Sequence, residues 1–214
     1  MQANAPARFI TLEGSEGVGK TTNLAVLQER LERDGHKVLV TREPGGTQLG
    51  EQVRELLLQL REDPMVPMAE LLLVFAARAQ HVETVIKPAL ARGDWVLSDR
   101  FTDASFAYQG GGRGLAVETI ELLQNMVQKA LRPDLTFYLD VAPDEGFARI
   151  GGRELDRFER EQLDFYERVR ATYLGLANAE PSRFVVVDAG ASIEAVGAAI
   201  TAELSLALSR WRDA

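Results

Sequence analysis

The 214-residue chain contains no cysteine. That absence excludes a disulfide framework, a thiol nucleophile, a thiolate-held zinc and an iron–sulfur cluster. Histidine is almost as scarce: only His36 and His81 occur, far apart, which argues against an imidazole metal cage. Long apolar runs are missing too. The longest, residues 71–77, is far too short to cross a bilayer. Residues 1–7 carry neither the basic start nor the apolar stretch of a secretory signal and read as a short flexible lead-in. The expectation is a cytoplasmic protein with no membrane contact. Positive charge is in deficit, with 24 Lys plus Arg against 32 Asp plus Glu and a formal net charge of −8. An acidic surface repels a polyanion, so nucleic acid is disfavoured as a partner.

The length fits one α/β domain over residues 1–214, ample to bury a core. Five short apolar runs, at 8–12, 37–41, 95–98, 135–139 and 183–187, are rich in β-branched or aromatic residues. Near-continuous apolar character predicts parallel strands covered on both faces. The segments between them are helical in period. Leu24, Leu27 and Leu31 form one stripe and Leu49, Val53, Leu56, Leu57 and Leu60 another. A longer helix over 68–91 is apolar enough to bury a face away from the sheet. Strand–helix alternation predicts a doubly wound five-stranded parallel sheet flanked by helices, with ligands at the carboxyl ends of the strands.

After the first strand stands Gly14-Ser15-Glu16-Gly17-Val18-Gly19-Lys20-Thr21, a full match to the phosphate-loop pattern. A chance match in a chain of this composition is expected about two times in a thousand. Its glycines allow backbone N–H groups to turn inward onto phosphate oxygens, and the following helix adds its positive end. Lys20 reaches the β- and γ-phosphates, and the Thr21 hydroxyl is a magnesium ligand. After the third strand come Asp99, placed either to hold magnesium through water or to cap a turn, and Arg100, a cation on the ligand edge. The second strand ends in Arg42-Glu43-Pro44-Gly45-Gly46-Thr47, and Arg54 follows in the next helix, either toward the same edge or in solvent. The glycine-rich run Tyr108 to Gly114 reads as a mobile or tightly turned loop, with Gln109 suited to a nucleobase edge or simply at a loop tip. Residues 149–159 combine arginines, acids and Gly151-Gly152; they are either a solvated charged stretch or a hinged flap. His36 reads as a solvent-exposed loop residue and His81 as a helix-surface residue.

No Asn is followed by Lys, so the Asn-Lys-x-Asp guanine reader of a GTPase switch is absent. Arginines on several strand ends exceed what one triphosphate uses, which points to an acceptor that is itself a phosphate. Taken together, Glu13 to Thr22, Thr41 to Thr47, Asp99-Arg100-Phe101 and Ala107 to Gly111 resemble bacterial thymidylate kinases, over about residues 8–210. The resemblance implies transfer of the γ-phosphoryl of ATP to thymidine monophosphate, with Mg²⁺, by a homodimer. It places Gly14, Ser15, Glu16, Gly17, Val18, Gly19, Lys20, Thr21 and Thr22 at ATP, with Thr21 and Asp99 toward the metal. It assigns Arg42, Glu43, Arg54 and Arg100 to the acceptor phosphate region, and Arg78, Gln109 and Ser105 to the thymine ring. A base-stacking aromatic is expected three or four residues before Arg78, where Phe75 and Val74 stand, and Phe158 is expected against the sugar. A loop with Glu16 and no Arg implies the lid-arginine type, with the lid at about 146–160, Arg153 catalytic and Arg149 near adenine. Another nucleoside monophosphate as acceptor, or a nucleotide-binding switch without transfer, are the competing readings.

Overall fold

The computed structural model describes residues 6–149 and 155–212. The elements run β1 (Phe9–Glu13), α1 (Lys20–Arg33), β2 (Val38–Arg42), α2 (Gln48–Leu58), α3 (Pro67–His81), α4 (Lys87–Ala91), β3 (Trp95–Asp99) and α5 (Thr102–Ser105). They continue through α6 (Val117–Gln128), β4 (Leu135–Asp140), α7 (Pro143–Ala148), α8 (Leu163–Ala179), β5 (Phe184–Asp188) and α9 (Ile193–Arg212). The strands pair in parallel in the order β2-β3-β1-β4-β5, the expected five-stranded sheet flanked by helices. Chain direction across the sheet reverses between β1 and β3. The loops after these two strands therefore open the crevice where ligands bind in such sheets.

Side-chain alternation divides the core. Ile10, Leu12, Leu97, Phe137 and Leu139 face Leu27 and Leu31 of α1 and Ile200 and Leu204 of α9. Each such aliphatic side chain contributes roughly 1.5–3 kcal/mol by leaving water. On the opposite face, Tyr138 meets Phe165, Tyr166, Val169 and Tyr173 of α8, while Phe9 and Val96 meet Val82 and Ile86. Coverage on both faces holds for β1, β3 and β4. The edge strands β2 and β5 leave Val40 and Val186 exposed, because each lacks a neighbour on one side. In the second predicted stripe only Val53 and Leu57 are buried, whereas Leu49, Leu56 and Leu60 are exposed. The predicted helix over 68–91 is present as α3 and α4 joined by a π-helical turn, Val82–Ile86, whose Val82 and Ile86 reach the sheet.

The N-terminal lead-in lies partly outside the described residues; Ala7 is not free but packs against the core. His36 is half-buried, stacked on Trp95 at 4.2 Å between ring centres, rather than solvent-exposed. The Gly110–Gly112 run is also not a loop tip. It lies in a π-helical turn, Phe106–Gly112, that packs along α8. Here the missing side chains allow close helix approach. A Cβ on Gly111 would stand 2.0 Å from Thr172 Oγ1 and 3.0 Å from the Arg168 carbonyl oxygen. Gly111→Ala is therefore expected to destabilise the fold by about 1–3 kcal/mol, the usual cost of overpacking, seen as a lower Tm. An unchanged Tm would show that this contact is not tight.

Candidate functional site

The turn after β1 has the form its glycines allow. Gly14, Gly17 and Gly19 take φ of 145°, 74° and 82°. A Cβ on Gly17 would meet the Gly146 carbonyl oxygen of α7 at 2.2 Å, so only glycine fits there. Gly19 opens α1 without a side-chain cap, which leaves the first-turn amides for an anion. Lys20 Nζ donates to the carbonyls of Gly14 (3.2 Å) and Ser15 (2.7 Å). Burial, and after it the nearby Arg100, lower the Lys20 pKa. Thr21 and Thr22 are exposed in the first turn of α1, while the Val18 side chain is in the core, so only its backbone faces the loop.

Arg100 joins this loop to the neighbouring cavity. It sits in the left-handed region at φ 66°, its N–H donating to the Leu12 carbonyl at 3.0 Å. The next amide, Phe101 N–H, donates to Glu13 Oε1 at 2.7 Å, and Tyr173 donates to Glu13 Oε2 at 2.7 Å. Burial, and then Asp103, push the Glu13 carboxyl up to about 8. The Arg100 guanidinium lies over the Tyr108 ring at 5.0 Å and donates to the Gly14 carbonyl (3.2 Å), the Tyr108 hydroxyl (2.9 Å) and Glu16. Burial raises the pKa of Glu16, but Arg100 and Lys20 outweigh it and hold the carboxylate at about 2.

Beside this cluster is a cavity of about 420 Å³, within the range of small-molecule sites. Its polar lining includes Arg54, Arg78, Arg100, Glu16, Glu43, Ser105 and Gln109, and its apolar wall includes Leu57, Val74, Tyr108 and Phe158. Arg78 is 1% exposed. Its Nε donates to Glu43 Oε2 (2.6 Å), Nη1 to Ser105 Oγ (3.0 Å) and Nη2 to the Phe101 carbonyl (3.1 Å). Glu43 Oε1 in turn accepts from His81 Nδ1 at 2.9 Å, and His81 Nε2 meets Thr41 Oγ1 at 2.6 Å. His81 is thus fully buried behind the arginine, not on a helix surface. Arg54 donates to the Pro44 carbonyl at 3.2 Å. Burial, then Arg42 and Arg100, lower its pKa, so its environment favours arrival of an anion.

Two expected contributors, Arg42 and Phe75, stand off the cavity wall. Arg42 is exposed, pairs with Glu51 at 2.7 Å and is off the cavity wall, because strand alternation gives the inward place to Glu43. Phe75 packs with Leu71 and Ile120 and lies 4.5 Å under the Arg78 guanidinium; Val74, one residue earlier on the helix, takes the wall position. Arg149 is exposed and donates to the carbonyls of Ala189 (2.7 Å) and Gly190 (3.3 Å). Arg153 lies outside the described residues. Residues not singled out from the sequence also belong here. Tyr108 carries Arg100 on its ring, and Asp156 and Glu159 line the cavity. Glu70, completely buried, binds Gln109. A lone carboxylate at the start of the most apolar helix was a usable signal, because buried charge demands partners.

Among the described residues, no group of three or more His, Cys, Asp or Glu is arranged to hold a metal. Asp99 Oδ1, however, is buried without a hydrogen-bond partner, and Thr21 is exposed beside the loop. One carboxylate and one hydroxyl suit a hard, largely hydrated dication completed by phosphate oxygens.

Because the folded-state pKa of Glu16 is depressed, its contribution to stability is complete above the ordinary value of 4.5 and is lost as pH falls toward about 2. Unfolding measured from pH 6 to pH 3 should show a steeper acid loss in the wild type than in Glu16→Gln; parallel curves would contradict the pairing.

The chain matches the Thymidylate kinase family model over residues 12–200. It is 54% identical over 206 residues to a thymidylate kinase of Alkalilimnicola ehrlichii, covering 95% of each chain. It is 56% identical over 205 residues to one of Pseudomonas putida, covering 95% of this chain and 99% of the relative. The crystal structure of thymidylate kinase from Ehrlichia chaffeensis is similar, with a TM-score of 0.76, 35% identity, and coverage of 93% of this chain and 98% of that one. With its phosphate loop and arginine-lined cavity joined through Arg100, the chain belongs to the thymidylate kinase family.

Proposed function

We propose that the chain transfers the γ-phosphoryl group of ATP to thymidine monophosphate, a step in dTTP synthesis. The observation that carries this reading is Arg54 on the cavity wall: half-buried, with no carboxylate partner in the hydrogen bonds described, its pKa lowered by burial and then by Arg42 and Arg100. A phosphate dianion would compensate that charge, and family membership supplies the acceptor. In this reading the amides of residues 14–21 and Lys20 hold the donor phosphates, while Arg54 and Arg100 hold the acceptor phosphate in line with them. Arg78, Ser105 and Gln109 face the pyrimidine, Val74 covers its ring and Phe158 lies against the sugar. Glu16 holds the Arg100 guanidinium at the junction of the two sites. Thr21 and Asp99 would hold Mg²⁺, which would supply charge neutralisation to the phosphates when bound. Arg153, from a lid at about 146–160, would neutralise the transferring group, with Arg149 toward adenine.

We further infer a single domain over 1–214, working in the cytoplasm as a homodimer. No helix among the described residues is long and apolar enough to cross a membrane. The dimer reading rests on α3 and α6, which pack on each other and expose Met68, Leu72, Leu122 and Met126. Light scattering is expected to give twice the chain mass; a monomer would remove this part of the proposal.

An ADP-release assay over a panel of nucleoside monophosphates is expected to show the highest kcat/KM with dTMP. Preference for a purine would overturn the acceptor assignment. Lys20→Ala is expected to lower kcat by about 10²–10³-fold or more with an unchanged circular dichroism spectrum. Wild-type rates in that variant would refute the phosphate-loop role. Arg153→Ala is expected to lower kcat by about 10³-fold with little change in KM for dTMP. An unaffected rate would exclude it as the lid cation.

A further inference from the structure

Glu70 lies in the first turn of α3, is fully buried and is not on the cavity wall. Its Oε2 accepts from Arg157 Nη1 at 2.7 Å and from Arg113 Nε at 3.1 Å. Arg113 is tied further to Glu161 at 2.5 Å, and Arg157 Nε donates to the Leu57 carbonyl at 2.7 Å. The carboxylate is therefore held from two directions by side chains that are themselves anchored. Its Oε1 accepts from Gln109 Nε2 at 2.8 Å.

A carboxylate between two guanidinium groups can only accept hydrogen bonds. The branch of the Gln109 amide that meets Glu70 must then be its NH₂, and the carbonyl Oε1 is left as the amide's acceptor toward the cavity that Gln109 lines. A free glutamine presents either branch by rotating its terminal torsion. Here the neighbour removes that choice. We propose that Glu70 is a positioning residue for acceptor specificity: by clamping the Gln109 amide with its oxygen inward, it selects a pyrimidine that carries a hydrogen on N3 and excludes one that does not.

The proposal rests on the acceptor reading above and deepens it. Thymine and uracil present N3–H beside O4. Cytosine presents a bare N3 acceptor beside an amino group. An inward Gln109 carbonyl accepts from the first pair and opposes the lone pair of cytosine N3. Arg78, a pure donor on the same wall, suits O4 and opposes the cytosine amino group. A site built to hydrogen-bond one edge rejects the other because buried polar atoms are left unpaired. The 5-methyl group plays no part in this clamp, so the argument separates cytosine from thymine and not uracil from thymine.

The test is the ratio of kcat/KM values for dTMP, dUMP and dCMP in the full-length chain with ATP and Mg²⁺. Glu70→Gln keeps its oxygen on Arg113 and Arg157 and so turns an NH₂ toward Gln109, which favours the opposite Gln109 orientation with its oxygen outward. The dTMP-to-dCMP ratio is expected to fall by about tenfold, one hydrogen bond's worth, while the dTMP-to-dUMP ratio holds. In a Gln109→Leu background the same Glu70→Gln change is expected to leave the dTMP-to-dCMP ratio where Gln109→Leu set it. An unchanged ratio in Glu70→Gln, a parallel change in both ratios, or a further change in the Gln109→Leu background would each overturn the proposal. Should Glu70→Gln fail to fold, the wild type with ¹⁵N-labelled glutamine provides the reading, the Gln109 signal being assigned by its loss in Gln109→Leu. One Gln109 side-chain proton should be shifted downfield and protected from exchange, with and without dTMP; two freely exchanging protons would overturn the clamp. A wild type that does not prefer dTMP overturns the acceptor assignment, whereas a dTMP-selective wild type whose Glu70→Gln variant keeps its ratio overturns only the role of Glu70.

Discussion

The site depends on one backbone constraint: the left-handed turn at Arg100. A non-glycine residue at φ 66° is costly and persists only where its surroundings impose it. Here the imposing groups belong to the adjacent strand. The Leu12 carbonyl takes the Arg100 amide and the Glu13 carboxyl takes the Phe101 amide. Parallel pairing of Leu12 with Asp99 brings these partners opposite one another. The consequence is that the guanidinium turns back onto the phosphate loop, toward Gly14 and Glu16, while still lining the cavity. Two half-sites on separate strands become one crevice through a single residue.

Charge is managed in layers around that residue. Lys20, Arg54 and Arg100 converge: burial first and then Arg100 lower the Lys20 pKa, and burial, then Arg42 and Arg100, lower that of Arg54. Glu16 offsets part of this positive charge. Elsewhere carboxylates pin the cations: Glu43 holds the buried Arg78 on the cavity wall, and the buried Glu70 holds the half-buried Arg113 and Arg157 behind it. Burial of such pairs is weak evidence for stability but gives fixed geometry, because losing one partner leaves the other unpaired in a low-dielectric interior. Arg54 lines the cavity with no carboxylate in the described hydrogen bonds, Arg78 and Arg100 line it while held by Glu43 and Glu16, and Arg113 and Arg157 are paired off the wall.

Much of this was legible in the amino-acid order. Short β-branched runs between leucine-periodic segments are enough to specify a parallel sheet, since both signals are local. The phosphate loop was legible for the same reason: glycines, lysine and threonine act within eight consecutive residues. Sequence and structure part where a property depends on partners far along the chain. The glycines at 110–112 read as a mobile or tightly turned loop, yet the missing side chains of Gly111 and Gly112 make room for a helix more than fifty residues away. His81 looked like surface, and tertiary contacts with Glu43 and Thr41 bury it.

Local order thus determined the sheet, the nucleotide loop and the family to which the chain belongs, because these follow from periodicity and contiguous motif. Tertiary structure alone decided which charged residues line the cavity. Arg42 and Glu43 are neighbours in sequence, but the pleat sends one to solvent and the other beneath Arg78. Val74 rather than Phe75 reaches the cavity because helix rotation, set by packing against Leu71 and Ile120, turns the aromatic away. Glu70, Gln109, Arg113 and Arg157 become a unit only when α3, the 106–112 turn and the segment before α8 meet, since a hydrogen bond acts over about 3 Å and is blind to distance along the chain.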